Sequence, residues 1–198
     1  SYFPYWVTAE TKNRNFGIMS YPPSDKGTMK VTGYELKAAN ASPITKQIQN
    51  IAFNLISSGK GEQEVYDAIV PIVNDLYNGN IPINDISSHS RIQKPFKEYL
   101  SPTAGVQAAM YYNKHHAKKG DKIKKGESVK WTYVNGVPDG LPKISFAAYK
   151  DEKDLENYSI DWHTIIEKFV TAKLKSVYDA LKWDLDNVVK DNRMKSYW

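Results

Sequence analysis

Apolar residues recur at helical spacing along most of the chain and alternate at strand spacing near its start and once later. Ser42-Pro43 places a hydroxyl at an N-cap and proline at the first helical position. Ile44, Ile48, Ile51, Ala52 and Leu55 follow on one face until Gly59. A second amphipathic helix starts at about Glu62, carries Val65, Ile69, Ile72, Val73 and Leu76, and stops near Asn78-Gly79. Pro71 is expected to bend or split it, because proline removes an internal hydrogen bond. Ser101-Pro102 repeats the start signature before Val106, Ala109, Met110 and Asn113, and Asp161 precedes a long stripe of Trp162, Ile166, Phe169, Leu174, Val177 and Leu181.

The first 40 residues read instead as β. Tyr2 to Thr8 is an aromatic run, Phe16 to Met19 and Met29 to Thr32 are rich in strand formers, and Pro22 to Gly27 is a turn cluster, which predicts a hairpin. Val129 to Val134 alternates as a strand, Val137 to Gly140 is a turn, and Lys143 to Ala148 offers the returning strand. Residues 81 to 95 are less regular. The pattern is therefore α+β: an N-terminal antiparallel hairpin, then a mainly helical body with a small late hairpin. No repeat or low-complexity linker divides it.

Composition narrows the chemistry. The 198 residues hold no cysteine, so a zinc ribbon, a disulfide framework and a cysteine nucleophile are excluded. Twenty-five aromatic side chains and a 41% apolar fraction suffice for a sizeable core. The chain opens Ser1-Tyr2-Phe3 with no initiator Met, leader or long uncharged apolar run. The expectation is thus a processed start or a piece of something longer, with neither signal peptide nor membrane span and a cytoplasmic setting.

Charge is concentrated. Residues 114 to 130 carry seven Lys against Asp121 and Glu127, a surplus equal to the net +5 of the whole chain. Residues 150 to 191 hold ten acids against seven Lys, and the first 113 residues are nearly balanced. Only Arg14, Arg91 and Arg193 are arginines. Lysine-dominated charge favours point contacts to phosphate over bidentate reading of guanine edges. A solvated solubility loop explains the same lysines, and composition leaves the two open.

Familiar active-site patterns are missing. Of His89, His115, His116 and His163, the adjacent pair would point about 100° apart on a helix, unlike an H-E-x-x-H metal site. Asp184-Leu185-Asp186 reads as an acidic helix start rather than a cation site. No nucleophile elbow, phosphate-binding loop or dinucleotide fingerprint occurs, and Gly59-Lys60-Gly61 only separates two helices.

Several segments, read in order, resemble the C-terminal part of family B DNA polymerases, from the last palm hairpin through the thumb. Thr11-Lys12-Asn13-Arg14-Asn15-Phe16-Gly17 is similar to the family's Lys-Lys-Arg-Tyr strand, and Lys30-Val31-Thr32-Gly33-Tyr34-Glu35 to its strand ending in Gly-x-Glu. The helix at Ser42 stands at the long thumb helix. Ile92-Gln93-Lys94-Pro95-Phe96-Lys97-Glu98-Tyr99 resembles the Arg/Lys-Pro-Leu-x-x-Tyr segment, and Val106-Gln107-Ala108-Ala109 the His-Val-x-x-Ala helix. Lys122-Ile123-Lys124-Lys125-Gly126 with Val129 to Val134 resembles the Lys/Arg-x-Gly turn and strand, and Trp162 to Leu181 the closing helix. Asn13 and Asn15 replace the family's Lys and Tyr, Asn40 its Asp, and Gly105 its His.

The resemblance implies residues 1–41 as the end of a palm domain and 42–198 as a thumb with a C-terminal tail. It implies phosphoryl transfer in a complete polymerase, with Mg2+ held by palm aspartates that precede this segment, so no catalytic residue or cofactor is expected on this chain. Its implied partners are double-stranded primer-template DNA and the catalytic portion or large subunit, at a nucleoid or viral replication site. Lys12, Arg14, Lys94, Lys97 and Tyr99 are the candidates beside the primer and minor groove. Lys114, Lys118, Lys119, Lys122, Lys124 and Lys125 would supply the general field. Met194, Tyr197 and Trp198 resemble a sliding-clamp-binding peptide, with Asp191 where the usual Gln stands. The rival expectation is a non-enzymatic DNA-binding or clamp-adaptor protein derived from a polymerase thumb, which the Asn13, Asn15 and Asn40 changes favour.

Overall fold

The computed structural model describes residues 1–10, 13–118 and 120–191. It is a mixed α+β chain, with helices in the middle and strands at the start and later. It divides into two compact units, one of residues 1–81 with the chain from 166 onward, the other of residues 82–165.

The first unit begins with three antiparallel strands, β1 (Trp6–Thr8), β2 (Asn15–Ile18) and β3 (Met29–Thr32), in that order. The aromatic run thus supplies a third strand to the expected hairpin. Val7, Phe16 and Val31 lie opposite one another across the sheet and are buried. Their face packs on α1 (Pro43–Ser57), where Phe16 stacks on Phe53 at 4.1 Å between ring centroids and Tyr34 meets Phe53 edge-on at 4.8 Å. Aromatic packing of this kind adds roughly 0.5–1.5 kcal/mol per pair beyond area burial.

α2 (Glu62–Tyr77) follows, opened by a Glu64 carboxylate that accepts from the Gly61 N–H at 3.0 Å. Pro71 does not split it. The proline occupies an exposed position, so the carbonyl it leaves without a partner faces water and the buried stripe of Val65, Ile69, Val73 and Leu76 holds the helix together.

The last long helix is less regular than its stripe predicts. It comprises α4 (Trp162–Ile166), a π-helical turn (Glu167–Thr171) and α5 (Ala172–Leu181). Two buried polar residues of α1 answer that irregularity. Thr45 donates to the Phe169 carbonyl at 2.9 Å and Gln49 to the Lys173 carbonyl at 3.2 Å. Thr45 and Gln49 are four apart, so both lie on the face of α1 turned to the irregular helix. α6 (Leu185–Val189) closes the unit. Asp184 is its N-cap, accepting from the Asp186 N–H at 3.0 Å, which gives the Asp184-Leu185-Asp186 carboxylates a structural use.

The second unit is a sheet with a helix on it. β4 (Ser88–Arg91), β5 (Ser128–Gly136) and β6 (Phe146–Tyr149) pair antiparallel, and β7 (Ser159–Ile160) joins the far end of β5. β4 falls in the stretch expected to be irregular, since Ser88-His89-Ser90-Arg91 has no apolar alternation to announce it. α3 (Ala104–His115) lies on the sheet, starting two residues beyond Pro102 with Thr103 as its N-cap. The core beneath holds Ile92, Val106, Ala109, Tyr112, Ile123, Val129 and Trp131. Asp161 caps α4 as expected, accepting from the Thr164 N–H at 2.9 Å and its hydroxyl at 2.7 Å.

Candidate nucleic-acid interface

Two lysine-bearing segments far apart in sequence meet in the second unit. The Ile92 N–H donates to the Glu127 carbonyl at 2.9 Å, and the Gly126 N–H donates to the Ile92 carbonyl at 2.7 Å. Beyond the Arg91–Ser128 pair the β4–β5 ladder thus ends in a glycine bulge, with Gly126 and Glu127 together opposite Ile92. The bulge joins the backbone two residues before Lys94 to the backbone just after Lys124 and Lys125. Gly126 makes the turn at φ +91°, a backbone region closed to ordinary side chains, which is why the run of lysines ends in glycine.

Tyr99 organises the first segment. Its hydroxyl accepts from the Gln93 N–H at 3.0 Å and the Lys94 N–H at 3.4 Å, closing the loop around a 3₁₀ turn at Phe96–Glu98. The Lys94 ammonium stands 4.9 Å from the centroid of the same ring, a cation–π contact that holds the charge above the loop. Phe96 and Tyr99 pack against the core while Lys94 and Lys97 are exposed.

The second segment is anchored at its middle. Ile123 is 2% exposed and sits in the core between the exposed Lys122 and Lys124. The Asn113 side chain, one residue before Lys114 at the end of α3, grips its backbone twice. Asn113 donates to the Ile123 carbonyl at 2.8 Å and accepts from the Ile123 N–H at 2.7 Å. Lys114, Lys118, Lys122, Lys124 and Lys125 are all exposed. Lys119 lies outside the described residues.

Both acids of the lysine-rich stretch are occupied. Asp121 takes a 2.7 Å ion pair from Lys150 and a hydrogen bond from the Tyr112 hydroxyl at 3.1 Å, while Lys150 also donates to the Asp121 carbonyl at 2.6 Å. The Lys150 hydrogen bond is the main reason the Asp121 carboxyl titrates below its usual range. Burial, helped by Asp154 and Asp121, pushes the Tyr112 hydroxyl up to about 12, so it stays a donor. Glu127 turns back to accept from the Lys124 N–H at 3.1 Å. The acids hold the loop and the lysines face outward.

Behind this surface lies a second polar cluster. His116 and Tyr158 are hydrogen-bonded to each other, and burial keeps the imidazole below its ordinary value. The His115 ring lies tilted beside Tyr111, 4.5 Å between centroids.

The remaining candidates fall elsewhere. Arg14 belongs to the first unit, where its guanidinium lies 5.6 Å from the Tyr34 ring centroid and donates to the Ser176 hydroxyl at 3.4 Å. Asn13, beside it, has φ +51°, the left-handed conformation that asparagine tolerates better than lysine. Lys12, Met194, Tyr197 and Trp198 lie outside the described residues. Sequence reasoning missed the anchors Asn113, Tyr112 and Lys150. Asn113 was visible only as a polar residue at the end of an apolar stripe.

Among the described residues no group of three or more His, Asp or Glu could hold a metal ion. No helix among them is long and apolar enough to cross a membrane.

The fold has a solved counterpart. The family B DNA polymerase of the hyperthermophilic archaeon Pyrobaculum calidifontis matches 86% of this chain with a TM-score of 0.61 and 21% sequence identity. The fold is therefore polymerase-like. This chain spans 21% of the length of that polymerase. No protein-family model matches the sequence, and no curated protein does.

Proposed function

We propose that this chain is the palm-hairpin and thumb part of a family B DNA polymerase, and that it grips primer-template duplex by phosphate contacts while the catalytic aspartates lie on the remaining portion. The observation that carries this reading is the meeting of the 92–99 and 122–127 segments through Ile92, within a fold like that of an archaeal polymerase. Lysines on two separate segments, with Asp121 paired to Lys150 and Glu127 turned back onto the Lys124 N–H, make a surface suited to a polyanion. A solubility loop has no need of a buried isoleucine and a double side-chain clamp at its centre.

Lysine point charges without paired arginines suit a sequence-tolerant grip. In this reading Lys94, Lys97 and Tyr99 contact the duplex together with Lys114, Lys118, Lys122, Lys124 and Lys125. Chemistry would come from the partner portion with its Mg2+ ions. The C-terminal Met194, Tyr197 and Trp198 would engage a sliding clamp.

The test is duplex binding as a function of salt. Replacing Lys118, Lys122, Lys124 and Lys125 by Ala is expected to weaken binding equally across sequences and to flatten the slope of log K against log salt by about 0.9 per lost phosphate contact. An unchanged slope returns the segment to a solvated loop. Primer extension tests the wider reading: a chain bearing the palm aspartates should synthesise more DNA with this chain than alone.

A further inference from the structure

The duplex-grip reading assigns charge to the lysines but not the means by which they are held. We infer that Asn113 is a positioning residue that fixes the 121–125 segment as a prearranged lysine array, with Tyr112 as its second anchor. The inference rests on the proposed duplex grip.

Asn113 satisfies both backbone groups of Ile123, at 2.7 and 2.8 Å, as a neighbouring strand would do. It falls on Ile123, the one described residue of the segment that enters the core. Ile123 cannot rotate outward without giving up its burial and both bonds. Lys122 and Lys124, its chain neighbours, are therefore restrained while their ammonium groups remain in water.

Tyr112, one residue before Asn113, holds Asp121 two residues before Ile123. Two adjacent side chains of α3 thus pin two alternate residues of the segment. Lys150 holds the Asp121 side chain and carbonyl from another strand end. Downstream, the Ile92 pair fixes Gly126 and Glu127. A stretch rich in lysine and glycine would otherwise lose considerable backbone and side-chain freedom on meeting a polyanion. Here the backbone share of that loss is met when the protein folds, and ordering costs at binding fall.

The array is a property of the segment, so the role of Asn113 must be exerted through the lysines. This gives a double-mutant cycle. The affinity of the full chain for a short DNA duplex is measured at one fixed salt concentration for four proteins: the parent, Asn113→Ala, the quadruple lysine-to-alanine variant, and the two combined. Asn113→Ala is expected to weaken binding about fivefold in the parent and to have almost no effect once the lysines are gone. Equal losses in both backgrounds would mean general damage to the unit and would overturn the inference. So would an unchanged affinity for Asn113→Ala where lysine removal itself weakens binding, and in that case the duplex-grip reading stands. Should lysine removal leave affinity unchanged, both fall together. If Asn113→Ala does not fold, Tyr112→Phe runs the same cycle, because it removes one hydroxyl and leaves the packed ring in place.

Discussion

Trp131 donates its indole N–H to the Ser90 hydroxyl at 3.0 Å, joining β5 to β4, and the pair lies directly against the backbone of Gly105 at the start of α3. A Cβ added at Gly105 would collide with the Ser90 hydroxyl and stand 2.6 Å from the indole nitrogen. Gly105 is thus the residue that lets α3 sit down on the sheet. Gly105→Ala is expected to destabilise the chain by about 1–3 kcal/mol through overpacking, despite alanine's better helix propensity. Urea unfolding checks this: the midpoint should fall with the slope unchanged.

Tyr99 supports a second prediction. Tyr99→Phe keeps the ring under Lys94 and removes the oxygen that accepts from Gln93 and Lys94. The loop is exposed, so stability should fall by less than about 1 kcal/mol. Duplex affinity should fall roughly threefold with the salt slope preserved, because every lysine is still present. Tyr99→Ala should lose more, since the cation–π contact goes as well. Equal affinities for the parent and both variants would remove Tyr99 from the interface.

How far these features were readable beforehand depends on the interaction behind each. Helices announced by apolar stripes, α1, α2 and the last long helix, were legible because burial of a face dictates their period. β4 was not, because its hydrogen bonds to β5 are backbone interactions that Ser88 to Arg91 do not encode. The lysines were visible as composition, but their arrangement depends on Asn113 and Ile123, ten residues apart, and on the pairing of Ile92 with 126–127. Nothing in local spacing distinguishes an anchored lysine loop from a free one. The π-helical turn was equally hidden, since it is matched by Thr45 and Gln49 of a helix more than a hundred residues earlier.

Pro71 gives a prediction of the opposite sign to most. It sits on the exposed side of an unbroken α2, where it forfeits a backbone hydrogen bond. Proline in a helix interior costs about 3 kcal/mol relative to alanine, offset by about 0.4–1 kcal/mol from the stiffer unfolded chain. Pro71→Ala should therefore stabilise the chain by about 2–2.6 kcal/mol. A higher midpoint in thermal or urea unfolding is the expected result. A lower one would mean that the proline has a packing role.

Glu35, the acid of the Gly-x-Glu segment, makes the last prediction. It forms a 2.9 Å ion pair with Lys173 of α5 and accepts from Gln49 of α1 at 2.9 Å, with side-chain exposures of 31% for Lys173 and 22% for Glu35. Burial alone would raise its carboxyl, but the hydrogen bonds from Lys173 and Gln49 and the lysine charge outweigh it, and the group titrates below its ordinary 4.5. A carboxyl lowered in the folded state binds fewer protons there than when unfolded, so it stabilises the fold above the unfolded value. That contribution is complete above about pH 5 and fades as pH falls below 4.5 through the folded value. Glu35→Gln should accordingly cost about 1–2 kcal/mol at pH 7, the scale of a hydrogen bond to a charged group in a partly solvated setting. The gap between parent and variant should close on acidification. Urea midpoints of both proteins at pH 7 and pH 3 measure it directly, with all other titrating groups cancelling in the difference. A gap of the same size at both pH values would show that the carboxylate's charge contributes nothing and that only its shape and hydrogen bonds hold α1 to α5.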